Sequence, residues 1–411
     1  MKKILVIALL LTLKNGYSLT LEDAFHKALN NYPDISIKQR ELEISEMEIK
    51  RSKGDFLPKL TFTSSYSISD PDNTEKSKVF NNEIKLTYNL FLGYSTKSTI
   101  EISKYNLMIS QNTKTLTENF IRKNVASAYF DAVTNKKLME HYGKLLENAK
   151  KVYDFTKTKF EVGRALSIDV MKALTDVKKY EAKLQQQKNS YLNSLVNLGL
   201  YTDEKYTIDT ILETDFPIIN LDDDLAFFIK KGEENNIDIN TFNYRIKSAK
   251  EDIKKNQSTL FPSLDIYGSY SNSNIDKGSI NNTINTTSIG ISLTWNIFNG
   301  KKDILNVEKQ KLSYYNTIDE KRKALLNLKK DISTLFNNIV SSKKNLTYLE
   351  DLVSVTTKNY KLTQEAYELG RASLIELLRS QDELTSAKLD YINTYNSLLQ
   401  NFLTLKYLIG E

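Results

Sequence analysis

The chain has no cysteine, five prolines, thirteen glycines and two histidines in 411 residues. Without cysteine there can be no disulfide, no thiolate metal site and no lipid attached to an N-terminal cysteine. The shortage of proline and glycine removes the usual helix breakers and leaves room for very long uninterrupted helices. His26 and His141 lie far apart without metal-ligand spacing, and there is no glycine-rich phosphate loop or nucleophile elbow. A histidine alone on a helix is ordinarily a surface or packing residue, so no cofactor, metal site or enzyme activity is expected. Nor do clusters of His, Met or Cys point to a soft-metal cargo. Long apolar runs are missing too. Lys2 and Lys3 precede the run Ile4 to Leu11, and Gly16-Tyr17-Ser18 offers small residues for cleavage, so residues 1–18 are expected to be a secretory signal. That run is too short to span a bilayer, and nothing later approaches ~20 apolar residues. Removing Lys2, Lys3 and Lys14 leaves 54 basic against 51 acidic residues, which gives no case for nucleic acid. An exported chain without disulfides must be held by burial or by oligomerisation.

The sequence that remains is written twice. Phe56-Leu57-Pro58-Lys59-Leu60 returns as Leu260-Phe261-Pro262-Ser263-Leu264, and Leu86-Thr87-Tyr88-Asn89-Leu90-Phe91 as Leu293-Thr294-Trp295-Asn296-Ile297-Phe298. Phe160-Glu161-Val162-Gly163-Arg164-Ala165 returns as Tyr367-Glu368-Leu369-Gly370-Arg371-Ala372. The offset is 204 at Pro58/Pro262 and 207 at Gly163/Gly370, so the second copy gains three residues between the first two motifs. Two copies indicate an internal duplication and not a solenoid.

Each copy has the same order. A short amphipathic segment (Leu21 to Leu29; Leu225 to Lys231) leads into a helix, Pro33 to Leu57 and Ile237 to Phe261, ended by Pro58 and Pro262. The period then becomes alternating. Leu60, Phe62, Ser64, Tyr66 and Ile68 interleave with Thr61, Thr63, Ser65, Ser67 and Ser69. Ile84, Leu86, Tyr88 and Leu90 share one face of the return strand, and Ile289, Ile291, Leu293, Trp295 and Ile297 repeat the pattern. Asp70-Pro71-Asp72-Asn73 and Asn274 to Asn285 have loop compositions, where the length difference is expected to sit. Long stretches without proline follow, 94–162 and 301–369, each broken at Gly-Arg before a second helix returns. The returning helices carry heptads: Val170, Val177, Leu184, Tyr191 and Leu198, then Leu377, Leu384, Tyr391, Leu398 and Leu405. A sustained seven-residue repeat marks a coiled-coil seam.

Alternating strands of about ten residues are what cross an outer membrane, but four are too few to close a barrel. On strand pattern alone, soluble hairpins packed on helices are an equal alternative. Helix length separates the two. A helix over 94–162 is roughly 100 Å long, and segments 165–199 and 33–57 together reach roughly 90 Å. No compact globular domain needs such elements; a tube projecting from a membrane-embedded end does.

This layout resembles the TolC family of outer-membrane efflux and secretion ducts. The resemblance rests on Leu57-Pro58 and Phe261-Pro262, on the hairpin ends Tyr88-Asn89-Leu90-Phe91 and Trp295-Asn296-Ile297-Phe298, and on the turns Val162-Gly163-Arg164 and Leu369-Gly370-Arg371. It implies a mainly α protein with membrane β-structure: a long α-helical coiled-coil barrel and four transmembrane strands per chain, twelve in a homotrimer. Two tandem repeats are expected, 19–215 (hairpin about 58–92, helical hairpin about 94–199) and 216–411 (hairpin about 262–299, helical hairpin about 301–409). The implied partners are outer-membrane lipid, a periplasmic adaptor and an inner-membrane pump, with no cofactor. Some family members carry a lipid on an N-terminal cysteine, which this chain lacks.

The resemblance also assigns residues. Val162, Gly163, Arg164, Leu369, Gly370 and Arg371 form the turns where an adaptor docks, the plainer view of both arginines being a solvated charge near a helix end. Glu376 belongs to an acidic ring constricting the entrance; Arg379 stands where relatives often have a second acid, and a Glu376–Arg379 pair is one option. Asp169 and Tyr367 correspond to a latch that holds the entrance shut, with Arg371 as a weaker member because the family places its arginine one residue later. Tyr367 as a packing residue and Glu376 as an ordinary exposed carboxylate are the alternatives. Tyr66, Tyr88, Tyr267 and Trp295 are expected in an interfacial aromatic girdle, core packing between hairpins being the competing view. The expected function is a passive exit duct. A non-conducting exported coiled-coil scaffold is the alternative, and a soluble adaptor is disfavoured because no room exists for its extra domains.

Overall fold

A computed structural model describes residues 18–70, 72, 76–213, 216, 217, 219, 221, 223–277 and 280–411. The expected signal, up to residue 17, and Pro71 and Asn73 of the first hairpin connection lie outside the described residues. In chain order the elements are α1 (Leu21–Asn31), α2 (Pro33–Gly54), β1 (Lys59–Ser69), β2 (Ser77–Leu92), α3 (Ser95–Glu161) and α4 (Ser167–Thr202). The second copy repeats them as α5 (Leu225–Asn235), α6 (Ile237–Gln257), β3 (Ser263–Lys277), β4 (Ile280–Thr294), α7 (Lys302–Glu368) and α8 (Leu374–Leu408). Helices α3 and α7 are each 67 residues long. Both helices before the strands stop a few residues short of proline, in i→i−3 turns: Leu57 N–H donates to Gly54 O at 2.9 Å, and Phe261 N–H to Ser258 O at 3.1 Å. Proline keeps the residue before it out of the helical region, so the last turn tightens instead of continuing.

The chain forms two compact units, and each draws on both sequence copies. One comprises Ser36–Leu116 and Glu233–Leu328. It holds a single antiparallel sheet in the order β1-β2-β3-β4, with the two copies joined where β2 pairs with β3. Register sorts the side chains. Leu60, Phe62, Tyr66 and Ile68 pair with Leu86, Ile84, Phe80 and Lys78, so all share a face. Ile84 and Tyr88 pair with Tyr270 and Ile266, and Ile266 with Ile291, which carries the same apolar face across all four strands. It is bare: Leu60 is 69 % exposed and Ile289 84 %. Thr63, Ser65, Glu83, Lys85, Ser271 and Ser288 occupy the opposite face. A bulge between Asn89 and Phe91 shifts the register, placing Phe91 opposite Leu264. The helices of this unit meet through small hydroxyls, with Ser52 Oγ 2.8 Å from Ser103 Oγ and Ser45 Oγ 2.7 Å from Ser110 Oγ.

The loop expected over Asn274 to Asn285 is instead strand on both sides of residues 278–279, and β3 has 15 residues against 11 in β1. The extra length of the second copy therefore goes into strand. Asparagine-rich sequence holds a ladder here because its side chains also pair across it: Thr283 Oγ1 donates to Asn274 Oδ1 at 2.8 Å and Asn272 Nδ2 to Asn285 Oδ1 at 2.7 Å.

The other unit comprises the chain up to Ile35, Thr117–Gly232 and Lys329–Glu411. Its core includes Val125, Val133, Tyr191, Leu195, Leu198, Ile339, Leu399 and Leu405. Both heptad seams point inward: Val177, Tyr191 and Leu198 are buried on α4, and Leu377, Leu384, Leu398 and Leu405 on α8. Tyr129 secures a small parallel bridge between Leu19 and Leu212, its Oη lying 2.8 Å from Leu19 O and 3.1 Å from Glu213 O. Burial pushes this phenol up to about 12. Among the described residues no helix is long and apolar enough to cross a membrane.

His141 packs within this unit with its Nε2 shielded from solvent and unpartnered. Burial, reinforced by Lys388 and Lys144, lowers its pKa to about 4, below the ordinary 6.5. The unfolded chain therefore takes up a proton first as pH falls. The His141 contribution to stability is full above about pH 6.5 and is lost towards pH 4. Between pH 7.5 and 5 the loss should reach about 1–2 kcal/mol. His141→Gln should flatten that dependence in thermal melts at the two pH values.

Candidate functional site

The two helix reversals lie in one unit, and both are built by the same backbone device. Gly163 has φ +75° and Gly370 +73°. Arg164 N–H donates to Lys159 O and Arg371 N–H to Ala366 O, each at 2.7 Å, while Gly163 N–H reaches Phe160 O at 2.9 Å and Gly370 N–H reaches Tyr367 O at 3.1 Å. These paired 6→1 and 5→2 bonds form a Schellman motif, which satisfies carbonyls the helix end would otherwise leave open. No neighbour stands within 4 Å of a Cβ built on either glycine, so backbone conformation alone demands glycine here. Val162 and Leu369 beside them are exposed.

The acidic residues that follow cap the returning helices. Glu376 accepts from Ser373 N–H at 2.7 Å and Ser373 Oγ at 2.9 Å, while Glu376 N–H returns a bond to Ser373 Oγ at 3.3 Å. Those bonds, the backbone one first, hold the Glu376 carboxyl below its ordinary range. Asp169 is the counterpart, accepting from Leu166 N–H at 3.4 Å. Arg379 does not pair with Glu376: its Nε lies 3.2 Å from Glu383, one turn further along. Glu376 is already engaged by its own cap, which leaves the arginine to the i+4 acid. An open groove of about 390 Å³ collects Arg371, Glu376, Arg379 and Glu383, two charges of each sign.

Tyr367 is 6 % exposed and does not hydrogen-bond Asp169 within the chain. Its Oη is 2.7 Å from Thr156 Oγ1, and Thr156 in turn gives its proton to Val152 O at 2.7 Å. Thr156 has a single hydroxyl proton, so Tyr367 must be the donor in their bond. Asp169 acts on Tyr367 through its charge, adding to the burial that raises the phenol. Lys159, which the sequence reading overlooked, completes the join. Its Nζ donates to Tyr367 O at 2.7 Å and lies 4.4 Å from the Tyr367 ring centroid and 4.6 Å from that of Phe155.

A second polar join, also overlooked, ties α4 to α8. Lys179 Nζ lies 2.7 Å from Asp382 and 3.5 Å from Asp176, and Tyr180 Oη donates to Asp382 at 3.3 Å. Gln381, 2 % exposed, donates to Asp176 at 3.4 Å, while its Oε1 is buried without a partner. Burial raises the Asp176 carboxyl, against the opposing pull of Lys179.

On the sheet, register places Tyr66 and Tyr88 on the apolar face. Trp295 follows the end of β4, half exposed, with Nε1 donating to Leu260 O at 3.2 Å. Tyr267 is a correction. It pairs with Thr87 and Gly290, which puts it on the polar face and out of any lipid-facing girdle. The alternation of β3 starts one residue out of step with that expectation: Leu264, Ile266 and Tyr270 are the apolar-face residues. Among the described residues no group of three or more His, Asp or Glu could hold a metal ion.

Comparison with known proteins follows the same architecture. The sequence profile described as outer membrane efflux protein matches residues 24–202 and 228–411. Among solved structures, the Campylobacter jejuni CmeC outer membrane channel is 18 % identical, with TM-score 0.79 over 95 % of this chain and 85 % of that one. The outer membrane protein VceC from Vibrio cholerae is 14 % identical, TM-score 0.78, covering 95 % and 96 % of the two chains. The open state of the Neisseria gonorrhoeae MtrE channel is 16 % identical, TM-score 0.76, covering 95 % and 88 %. No functionally curated protein matches the sequence.

A left-handed residue costs roughly 1–2 kcal/mol when it carries a Cβ, and less for asparagine. Gly370→Ala should therefore destabilise the protein by about 1 kcal/mol in thermal melts, with Gly370→Asn closer to wild type. Equal melting of all three would show that the turn does not require this conformation.

Proposed function

Since the chain belongs to the outer membrane efflux protein family, a family of transport conduits and not of enzymes, we propose that it is the outer-membrane exit duct of a tripartite efflux or secretion assembly. The observation that carries this is the sheet: one bare apolar face, one hydroxyl-rich face, and two edge strands. Lipid supplies no water to unpaired backbone groups, so an apolar sheet placed in a membrane must close on itself. Four strands cannot; three chains pooling twelve can. The apolar face then meets lipid, and the polar face lines a water-filled lumen. Reconstituted protein should give discrete ionic conductance in planar bilayers. A well-folded preparation without conductance under any load or voltage would favour a non-conducting scaffold.

The duct is passive, driven by an inner-membrane pump through a periplasmic adaptor that docks on the helix turns 162–164 and 369–371. The turns support this by exposing Val162, Arg164, Leu369 and Arg371 on a stiff backbone. The entrance is gated there. Three Glu376 carboxylates around one axis would favour cations, and since Arg379 is engaged by Glu383 the ring keeps its charge. Glu376→Gln should lower the cation preference read from reversal potentials; an unchanged potential would remove Glu376 from the constriction.

The latch takes a specific form. Tyr367 donates to Thr156, Lys159 holds the Tyr367 carbonyl, and Asp169 contributes charge from its cap. Tyr367→Phe and Thr156→Val should therefore raise conductance to similar extents, and together no further than either alone. Asp169→Ala should act less. If Asp169→Ala opens the channel while Thr156→Val does nothing, the latch is the direct Asp169–Tyr367 bond of an assembled state.

A further inference from the structure

The polar face of the sheet carries many short side chains, such as Thr63, Ser65, Ser269, Ser271, Thr286 and Ser288, beside longer ones such as Glu83, Lys85, Ile275 and Ile284. Tyr267 is the one aromatic residue of this face among the described strands, near their helix-proximal ends, fifth in β3. Side chains on a strand ordinarily stand away from the sheet. The Tyr267 ring instead lies across its neighbour: a Cβ added at Gly290, the residue opposite on β4, would stand 2.7 Å from Tyr267 Oη and 2.8 Å from Cζ. Lys85, on the same face of β2, holds its Nζ 5.1 Å from the ring centroid. Glycine inside a paired strand weakens it and marks close approach of another group. At Gly290 that group is the tyrosine ring.

We propose that Gly290 keeps the lumen open at this level of the barrel, by letting the Tyr267 ring lie flat against the wall and out of the passage. This rests on the polar face being the lumen. The position matching Tyr267 in the first copy, at the offset of 204, is Thr63, so each chain brings one such ring and a trimer three. With glycine opposite, the ring lies along the wall. Any side chain at position 290 takes that place and turns the ring into the passage.

The absence of native cysteine permits a direct test. Ser292 shares the polar face with Gly290 and lies on its helix-proximal side, so a reagent added from the hairpin-turn side must pass Tyr267 to reach Ser292→Cys. In proteoliposomes, labelling would be followed with a small methanethiosulfonate and with a bulky polyethylene-glycol maleimide. Gly290→Val should slow the bulky reagent on the order of tenfold, which is about 1.4 kcal/mol of added barrier, and leave the small one unchanged. Tyr267→Ser in that background should restore the parent rate. Gly290→Ala, which asks for less room, should fall between parent and valine. Bulky labelling as fast in Gly290→Val as in the parent, or still slow after Tyr267→Ser, overturns the proposal alone. Failure of the small reagent to label Ser292→Cys in the parent shows a face without water, and overturns the duct with it.

Discussion

Backbone hydrogen bonds at the edges of one sheet are the constraint on which everything else depends. Strands β1 and β4 each pair on one side only, while Leu60, Phe62, Ile289 and Ile291 leave the adjoining face bare. In water such a sheet would be an aggregation surface. In lipid its open edges would carry unpaired N–H and C=O groups at several kcal/mol each. In the proposed trimer, β4 of one chain pairs with β1 of the next, which satisfies the edges, while lipid covers the apolar face. The hydroxyl-rich face of that trimer would line water, as the other face meets lipid.

Duplication supplies the backbone, and divergence between the copies supplies the side-chain joins. Both turns use the same glycine, the same Schellman bonds and an acidic N3 residue. Most of the groups that tie one copy to the other do not repeat, although Thr156 does, as Thr363. Across the offset of 207, Lys159 matches Ala366, Tyr367 matches Phe160 and Lys179 matches Ser386. The phenol of Tyr367 and the ammonium of Lys179, each present in one copy alone, therefore reach across to the other, as in Tyr367–Thr156 and Lys179–Asp382. In the proposed gate, these two polar joins are what would hold the helix pairs in one arrangement and release them into another.

The elements, their order and the heptad seams were legible in the sequence because each depends on local pattern. Proline ended the helices before the strands, glycine marked the reversals, and seven-residue spacing found Tyr191, Leu198, Leu377 and Leu405 in the core. What could not be read depends on geometry between elements. Asparagine and serine near 274–285 have loop propensity, yet cross-strand side-chain bonds keep them in strand. Tyr267 changed faces because β3 sets its register through its partners. Arg379 chose Glu383 over Glu376 because a cap had already engaged the nearer acid. Lys159 and Gln381 carried no sequence signal, since their roles are defined by a partner more than 200 residues away.

Whether three chains complete one barrel is read from the native mass of the detergent-extracted protein. A closed barrel requires a particle close to three times the mass of the processed chain, with detergent bound around it. A monomer that remains stable and monodisperse without detergent would rule the barrel out, since four strands with open edges and a bare apolar face would then be a finished structure in water.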